Sequence, residues 1–145
     1  MSIIKRSIIS EYNINHLYQI VSDIEKYPEF IKWCKRVEII EKTEKQILAE
    51  VFIEKGFITT SFISRNNYIT NQEITMELVK GPLSKLDGKW SFSKVEENKT
   101  KIDFFLDLSL KLSIMDFTLK PLITNITNNY VDSFVHRAEE LSVKY

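Results

Sequence analysis

A run of strand-like segments followed by one long apolar helix limits the folds open to this chain. Six short segments rich in β-branched and aromatic residues lie between residues 37 and 112, and short polar links separate them. Tight links of this kind favour antiparallel neighbours in one sheet. The predicted strands are residues 37–42, 47–54, 57–65, 73–79, 85–95 and 101–112.

Alternating apolar residues predict that the later strands bury one face and expose the other. Gly88 lies on the predicted buried face, which suggests a β-bulge or room for a ligand. Segment 57–65 shows no clear faces, because its apolar residues fall on both parities. The predicted buried face holds Ile74, Met76, Leu78, Leu86, Gly88, Trp90, Phe92, Ile102, Phe104, Leu106, Leu108, Leu110 and Leu112.

The N-terminal part predicts one strand and two helices. Residues 3–9 are rich in isoleucine and predict the first strand. Apolar residues then recur at spacings of three and four, which predicts an amphipathic helix that Asn13 or Asn15 caps and that ends near residues 24–26. Pro28 suits the first turn of a helix, so we expect a second short helix from Pro28 to residue 31 or 33.

The C-terminal part predicts one long helix. Apolar residues follow helical spacing from Leu119 to Leu141, over about six turns or roughly 35 Å. Pro121 marks its first turn, or a kink just after a turn around residues 114–119.

The order of these elements is strand, two helices, six strands and a long helix. It predicts an α+β fold of the helix-grip kind, in which a curved antiparallel sheet of seven strands surrounds the C-terminal helix. A twisted sheet touches a straight helix along only part of its length. We therefore expect an elongated apolar cavity between the sheet and the helix.

Length and composition place the chain in a broad class. The chain has 145 residues, 43% of them hydrophobic. This length and composition predict one domain over residues 1–145 with a substantial core. No segment has the roughly 20 apolar residues that span a bilayer, and no signal peptide is evident, so we expect a cytoplasmic protein. Lys and Arg together equal Asp and Glu and form no basic block, which argues against DNA binding.

The sequence contains no recognisable catalytic or metal-binding pattern. Cys34 is the single cysteine, so an internal disulfide and a cysteine-based zinc site are excluded, and we expect a small buried residue there. His16 and His136 form no base–nucleophile pair, and both are expected at the surface. Since no Gly-rich phosphate loop or metal-ligand cluster occurs, we expect no catalysis, no metal and no required cofactor.

Four segments resemble one protein family in the order in which they occur. They are DIEKYPEFIKWC at residues 23–34, SFISRN at 61–66, LVKGPLSKLDGKWSF at 78–92 and FVHRAEE at 134–140. In these segments the chain resembles the START-like coenzyme Q-binding proteins, a family that includes the bacterial ribosome association toxins (RatA) and often carries the label polyketide cyclase or dehydrase. Leu83 departs from the family, which commonly has phenylalanine at this position.

The resemblance implies a START/Bet v1-like helix-grip domain. Its cavity would bind and deliver ubiquinone or a related prenyl lipid, without catalysis, in support of respiratory quinone function. The toxin branch implies instead binding to the large ribosomal subunit and interference with subunit joining. Because both roles share the same segments, the resemblance leaves both open, and the cyclase label is expected to describe the fold rather than an activity.

The candidate ligand-binding residues are aromatic or apolar. Rings where the short helices meet the sheet would form the portal, and residues of the sheet and the long helix would line the slot. Ordinary core packing is the alternative for each of them. The candidates are Tyr27, Pro28, Phe30, Trp33, Leu83, Trp90, Phe104, Ile126, Tyr130 and Phe134.

A second set of candidates would contact a membrane or RNA. Ile31 and Trp33 suit the headgroup zone of a bilayer, and the cations beside them suit anionic lipid. The same cations would equally serve ribosomal RNA. Membrane contact is expected to be peripheral, on the inner face of the cytoplasmic membrane. The contact candidates are Lys26, Ile31, Lys32, Lys35 and Arg36.

Overall fold

The computed structural model describes residues 2–111 and 119–142. The predicted helix-grip fold is confirmed, with seven antiparallel strands in one curved sheet and a long C-terminal helix. The strands are β1 (Ser2–Ser10), β2 (Cys34–Lys42), β3 (Gln46–Lys55), β4 (Ile58–Ile69), β5 (Glu73–Lys80), β6 (Leu83–Glu96) and β7 (Lys99–Leu110). The helices are α1 (Ile14–Ser22), a 3₁₀ helix (Ile24–Glu29) and α2 (Leu119–Ser142).

The sheet runs in the order β1-β7-β6-β5-β4-β3-β2, so the first strand pairs with the last. It buries the face that the alternation predicts, with Leu86, Trp90 and Phe92 on β6 all in the core. Gly88 causes no β-bulge, because the pairing of β6 with both neighbours is regular there. A Cβ at Gly88 would lie 2.7 Å from Cγ of Met76, so this glycine gives room to the Met76 side chain.

The short helix predicted from Pro28 is wrong in its bounds. The chain enters the 3₁₀ helix directly after α1, and this helix contains Pro28 and ends at Glu29. Ile24 and Tyr27 are both buried, and their separation of three residues matches the three residues per turn of a 3₁₀ helix. Burial of these two side chains therefore sets where the helix begins. The Tyr27 hydroxyl donates a hydrogen bond to the carbonyl of Val21 and so links the 3₁₀ helix to α1. We call this junction of the two helices the corner.

Helix α2 lies against the inner face of the sheet. Pro121 is in its first turn, and the predicted turn around residues 114–119 falls largely outside the described residues, as does Leu112. Two ion pairs link α2 to other elements. Asp132 of α2 pairs with Arg6 of β1 at 2.9 Å, and Arg137 of α2 pairs with Glu29 of the 3₁₀ helix at 2.6 Å. Among the described residues, no helix is both long and apolar enough to cross a membrane.

Candidate functional site

An apolar cavity lies between the sheet and α2. It consists of two adjoining chambers, each of about 90 Å³. Five residues line both chambers, so the chambers meet at a common wall. The shared residues are Ile53, Phe62, Met76, Ile126 and Tyr130.

The first chamber lies under the corner formed by the 3₁₀ helix. Ile24, Tyr27 and Ile31 cover it on one side, and strands β3 to β6 form its floor. Lys32 lines this chamber although its side chain is exposed, so the chamber reaches the surface beside Lys32. Lys32 is also the one charged residue in the described lining.

The second chamber is lined almost entirely by apolar side chains, most of them aliphatic. The hydroxyls of Thr127 and Tyr130 are the only polar side-chain groups in its described lining. This chamber lies between the first half of α2 and the strands β6 and β7, and it offers no anchor for a charged or strongly polar group. Its aliphatic residues outside the common wall are Leu83, Leu86, Leu106, Leu108 and Ile123.

The structure divides the predicted ligand-binding residues into two groups. Five of them line the cavity: Tyr27, Leu83, Trp90, Ile126 and Tyr130. The other five lie outside the lining: Pro28, Phe30, Trp33, Phe104 and Phe134.

Three of the residues outside the lining support the wall from behind. Phe104 packs on Trp90 with ring centroids 4.6 Å apart, and Phe134 packs on Trp90 at 5.0 Å. Phe30 packs edge-on against Phe134 at 5.2 Å. These rings hold Trp90 and Tyr130 in place because Phe134 also contacts Tyr130, at 4.9 Å. Ordinary core packing thus describes these three phenylalanines.

The residues predicted to contact a membrane or RNA differ in their exposure. Lys26, Lys32, Lys35 and Arg36 are exposed. Ile31 is only 7% exposed and lines the first chamber, so the prediction that it contacts a membrane or RNA is wrong. The physical reason is the turn that follows the 3₁₀ helix, in which the Ile31 amide donates to the Tyr27 carbonyl at 2.8 Å and Ile31 joins the core.

Trp33 lies at the mouth of the first chamber in an unusual conformation. Its φ of 66° is in the left-handed region, which a bulky residue rarely adopts. Two ammonium groups contact the half-buried indole, with Nζ of Lys32 at 4.6 Å and Nζ of Lys55 at 4.4 Å from the ring centroid. The Trp33 carbonyl accepts a hydrogen bond from the Glu54 amide at 3.0 Å, which ties this segment to the β3–β4 hairpin.

The polar residues of the first chamber were not among the predicted site residues. Ser64, Asn66 and Tyr68 of β4 line it together with Phe62, on the same face of the strand. The faces of β4 were unclear because the apolar residues of segment 57–65 fall on both parities. These polar residues have the same parity as Phe62, and this was the one indication in the sequence that they face inward. Polar side chains that face a core normally have hydrogen-bond partners there, so Ser and Asn on that face indicate a polar site.

Polar groups lie together at the wall of the first chamber. The Tyr68 hydroxyl is beside the Asn66 amide, and the Trp90 indole is beside the Tyr130 hydroxyl. In the part of the chain that the structure describes, Oδ1 of Asn66, the Tyr68 hydroxyl and Nε1 of Trp90 make no hydrogen bond of ideal geometry. This side of the chamber therefore differs in chemistry from the rest of the cavity.

The buried thiol and tyrosine hydroxyls in the lining of the first chamber are protonated at neutral pH. Burial raises the pKa of Cys34 to about 11 and the pKa of Tyr68 to about 12. Burial also raises the pKa values of Tyr27 and Tyr130. None of these side chains can therefore act as a general base or as a thiolate nucleophile near pH 7.

The histidines lie away from the cavity. His16, which we expected at the surface, is half-buried there, with Nε2 3.2 Å from the carbonyl oxygen of Ala138. The ring packs between α1 and α2 and meets Tyr12 at 5.6 Å. His136 is exposed. Within the described residues, no group of three or more His, Cys, Asp or Glu side chains is placed to hold a metal ion.

Comparison with known proteins finds one matching family and several relatives. The family described as polyketide cyclase / dehydrase and lipid transport matches residues 10–135. A ribosome association toxin RatA of Pseudomonas aeruginosa is 34% identical over 138 residues, which cover 95% of this chain and 96% of that protein. A mitochondrial coenzyme Q-binding protein of Dictyostelium discoideum is 27% identical over 135 residues, which cover 90% of this chain and 66% of that protein.

Solved structures share the fold at low sequence identity. The Zhui aromatase/cyclase of a Streptomyces species superposes with a TM-score of 0.80 at 11% identity, covering 95% of this chain and 93% of that chain. A START superfamily protein of Mycobacterium smegmatis superposes with a TM-score of 0.77 at 21% identity, covering 96% of this chain and 98% of that chain. At these identities the likeness concerns the fold alone.

Proposed function

Because this chain belongs to the polyketide cyclase/dehydrase and lipid transport family, we propose that it binds ubiquinone or a related prenyl lipid between the sheet and α2 and delivers it, in support of respiratory quinone function. The protein acts by binding, without catalysis and without a required cofactor. It works in the cytoplasm, in peripheral contact with the inner face of the cytoplasmic membrane. The relative named as a coenzyme Q-binding protein supports this choice of ligand.

The apolar cavity that reaches the surface beside Lys32 is the observation that carries this proposal. Each chamber, at about 90 Å³, is smaller than the roughly 150 Å³ of an engineered lysozyme cavity that binds benzene. A ring or prenyl unit therefore requires the common wall to move. Met76 is suited to this movement because its unbranched side chain adapts to irregular spaces. Each buried methylene then contributes roughly 0.8 kcal/mol.

The protonation states around the cavity support binding rather than catalysis. The raised pKa values keep the tyrosine hydroxyls and the Cys34 thiol neutral. Such groups donate hydrogen bonds but do not abstract protons at neutral pH.

The test is mass spectrometry of an organic extract from the gently purified protein. The protein should be produced in cells that make ubiquinone, beside an unrelated protein of similar size purified in the same way. We expect prenyl quinone at a substantial molar fraction of this protein and at background level in the control. An extract no richer in prenyl lipid than the control would contradict the proposal.

The surface around the mouth of the first chamber suits an anionic membrane. We call Lys32, Trp33, Lys35, Lys55 and Phe57 the mouth patch. Phe57 is fully exposed at the tip of the β3–β4 hairpin, where Gly56 provides the positive φ of 60° that the turn needs. An exposed ring beside lysines matches the composition of membrane-surface anchors.

Two cations predicted for this contact already have partners. Lys26 pairs with Glu29 at 3.6 Å. Arg36 pairs with Glu38 at 3.5 Å and stacks on Phe52 at 3.8 Å. We therefore assign the contact to the mouth patch rather than to these two residues.

Replacing Trp33 or Phe57 with alanine should weaken binding to vesicles that contain anionic phospholipid. We expect about a fivefold loss for each, because a ring in the headgroup zone contributes on the order of 1 kcal/mol. Vesicle co-sedimentation measures the effect. Ile69→Ala is the matched control, since Ile69 is an exposed apolar residue at the opposite end of β4. Unchanged binding of both variants would remove the mouth patch from the proposal.

Ribosome association is the second candidate function. The relative from Pseudomonas aeruginosa supports it by its name, ribosome association toxin RatA. In this case the cations of the mouth patch would contact ribosomal RNA of the large subunit, and the bound protein would hinder subunit joining. Co-sedimentation with large subunits that falls steeply with salt would favour this candidate. An absence of co-sedimentation at every salt concentration would exclude it.

A further inference from the structure

One row of residues on the inner face of the sheet crosses from the first chamber to the second. Asn66 on β4 pairs with Met76 on β5, and Met76 pairs with Gly88 on β6. Gly88 pairs in turn with Leu106 on β7. Asn66 lines the first chamber, Leu106 lines the second, and Met76 lines both. The boundary between the chambers on the sheet therefore falls at Met76 and Gly88.

Strand β6 shows the same boundary along its length. Leu86 lines the second chamber, and Trp90 lines the first. Gly88 lies between them on the same face of the strand, because side chains two residues apart share a face. At the boundary β6 thus has no side chain of its own, and the side chain that fills this position comes from β5.

The Met76 side chain lies flat across Gly88. A Cβ at Gly88 would lie 2.7 Å from Cγ, 3.0 Å from Sδ and 3.2 Å from Cε of Met76. Three consecutive atoms of Met76 therefore occupy the space that a side chain at position 88 would take. Gly88 lets the methionine lie close to the sheet.

Met76 is the one flexible side chain among the five residues that line both chambers. Ile53 and Ile126 are β-branched, which restricts their χ1 angles. Tyr130 is held by aromatic rings of the sheet and of α2. Phe62 is packed against the backbone of the turn between β5 and β6. Met76 is half-buried and unbranched, so it can change rotamer with little effect on its neighbours.

We propose that Met76, lying over Gly88, is a movable partition that sets how far an apolar tail extends from the first chamber into the second. A ligand that enters beside Lys32 fills the first chamber and meets this partition. When Met76 turns aside, the tail passes over Gly88 into the second chamber. The inference rests on the proposed function, because it assigns the depth to which the same lipid is bound. Met76 and Gly88 then determine the preference for tail length.

The test compares ubiquinones that share one head and carry tails of one or three isoprene units. Quenching of tryptophan fluorescence measures the dissociation constant of each with the full chain. We expect the wild-type protein to bind the longer tail at least about tenfold more tightly, because the added units reach the second chamber. We call this ratio of dissociation constants the tail ratio.

Gly88→Ala should reduce the tail ratio to less than about threefold, with little change in binding of the short tail. The added methyl group would push Met76 off the sheet and into the passage. The strand itself accepts alanine, because Gly88 is not among the residues with a positive φ. Ser93→Ala is the control, since Ser93 is exposed on the same strand and should leave the tail ratio unchanged.

The double variant Met76→Ala/Gly88→Ala should restore the tail ratio to at least the wild-type value. Its Met76→Ala change removes Cγ, Sδ and Cε, the three atoms that the new methyl group would displace. Recovery by a second substitution distinguishes a blocked passage from general damage to the fold. Met76→Ala alone should raise the tail ratio above the wild-type value, and this result does not depend on the folding of Gly88→Ala.

The outcomes separate this inference from the proposed function. Equal binding of both tails by the wild-type protein would overturn the partition and leave lipid binding intact. The same holds for a wild-type tail ratio in Gly88→Ala, for an unchanged ratio in Met76→Ala, or for a double variant that does not recover. If the wild-type protein binds neither ubiquinone, the proposed function itself fails.

Discussion

Replacing Trp90 with alanine should lower the free energy of unfolding by about 3–5 kcal/mol. Trp90 is 1% exposed and is the centre of the ring cluster between the sheet and α2. Its ring lies 4.6 Å from Phe104, 5.0 Å from Phe134 and 5.8 Å from Tyr130. Alanine would remove these contacts and enlarge the first chamber. Such a loss is a large part of the roughly 5–15 kcal/mol by which a domain is usually stable.

Urea unfolding of the purified variant measures this effect. Phe105→Ala is the control, because Phe105 is on the neighbouring strand β7 but points outward and is 37% exposed. The control should change stability by less than about 1 kcal/mol. If Trp90→Ala were no more destabilising than Phe105→Ala, Trp90 would not be the centre of the core.

Filling the cavity should abolish most lipid binding without unfolding the protein. Ile126 lines both chambers from α2, and tryptophan at this position would occupy their common wall. We expect Ile126→Trp to weaken lipid binding about a hundredfold, because a ligand would have to displace the new ring at a cost of roughly 1–3 kcal/mol or more. Phe134 is a poorer choice for enlargement, since it is packed among rings outside the lining.

The measurements are the dissociation constant for decylubiquinol and the thermal unfolding midpoint. Asn128→Trp is the control, because Asn128 is exposed on the same helix and the same ring is introduced there. The unfolding midpoint of Ile126→Trp should fall only slightly below that of the wild type, since the indole replaces the Ile126 side chain and only its additional atoms enter the chambers. Unreduced binding by a folded Ile126→Trp protein would place the lipid somewhere other than this cavity.

Strands β5 to β7 could be predicted well because their inner faces are mostly apolar. Ile74, Trp90 and Phe104 all obey the alternation and all are buried. In β4 the same rule gave no clear faces, because the apolar residues of its predicted segment fall on both parities. The inner face also carries the polar residues Ser64 and Asn66. Hydrophobic alternation reports which residues avoid water, and it gives no signal for a polar residue that faces a cavity.

The corner around Pro28 shows a second limit of local rules. Proline preference placed a helix start at Pro28, whereas the helix begins at Ile24. Burial of Ile24 and Tyr27 outweighs the preference of a single residue for the first turn. The same packing turns Ile31 inward, so a residue flanked by cations became part of the cavity wall.

The order of the elements, the buried face of the later strands and the long closing helix were determined by the sequence alone. Each of these follows from periodicity, which is a property of neighbouring residues. Tertiary structure alone decided that Asn66, Tyr68 and Trp90 share one chamber, because their meeting depends on the pairing of β4, β5 and β6. The cavity lies where the curved sheet and the straight helix α2 move apart. The distance between them depends on how the whole sheet packs on α2, so no single segment of the sequence determines it.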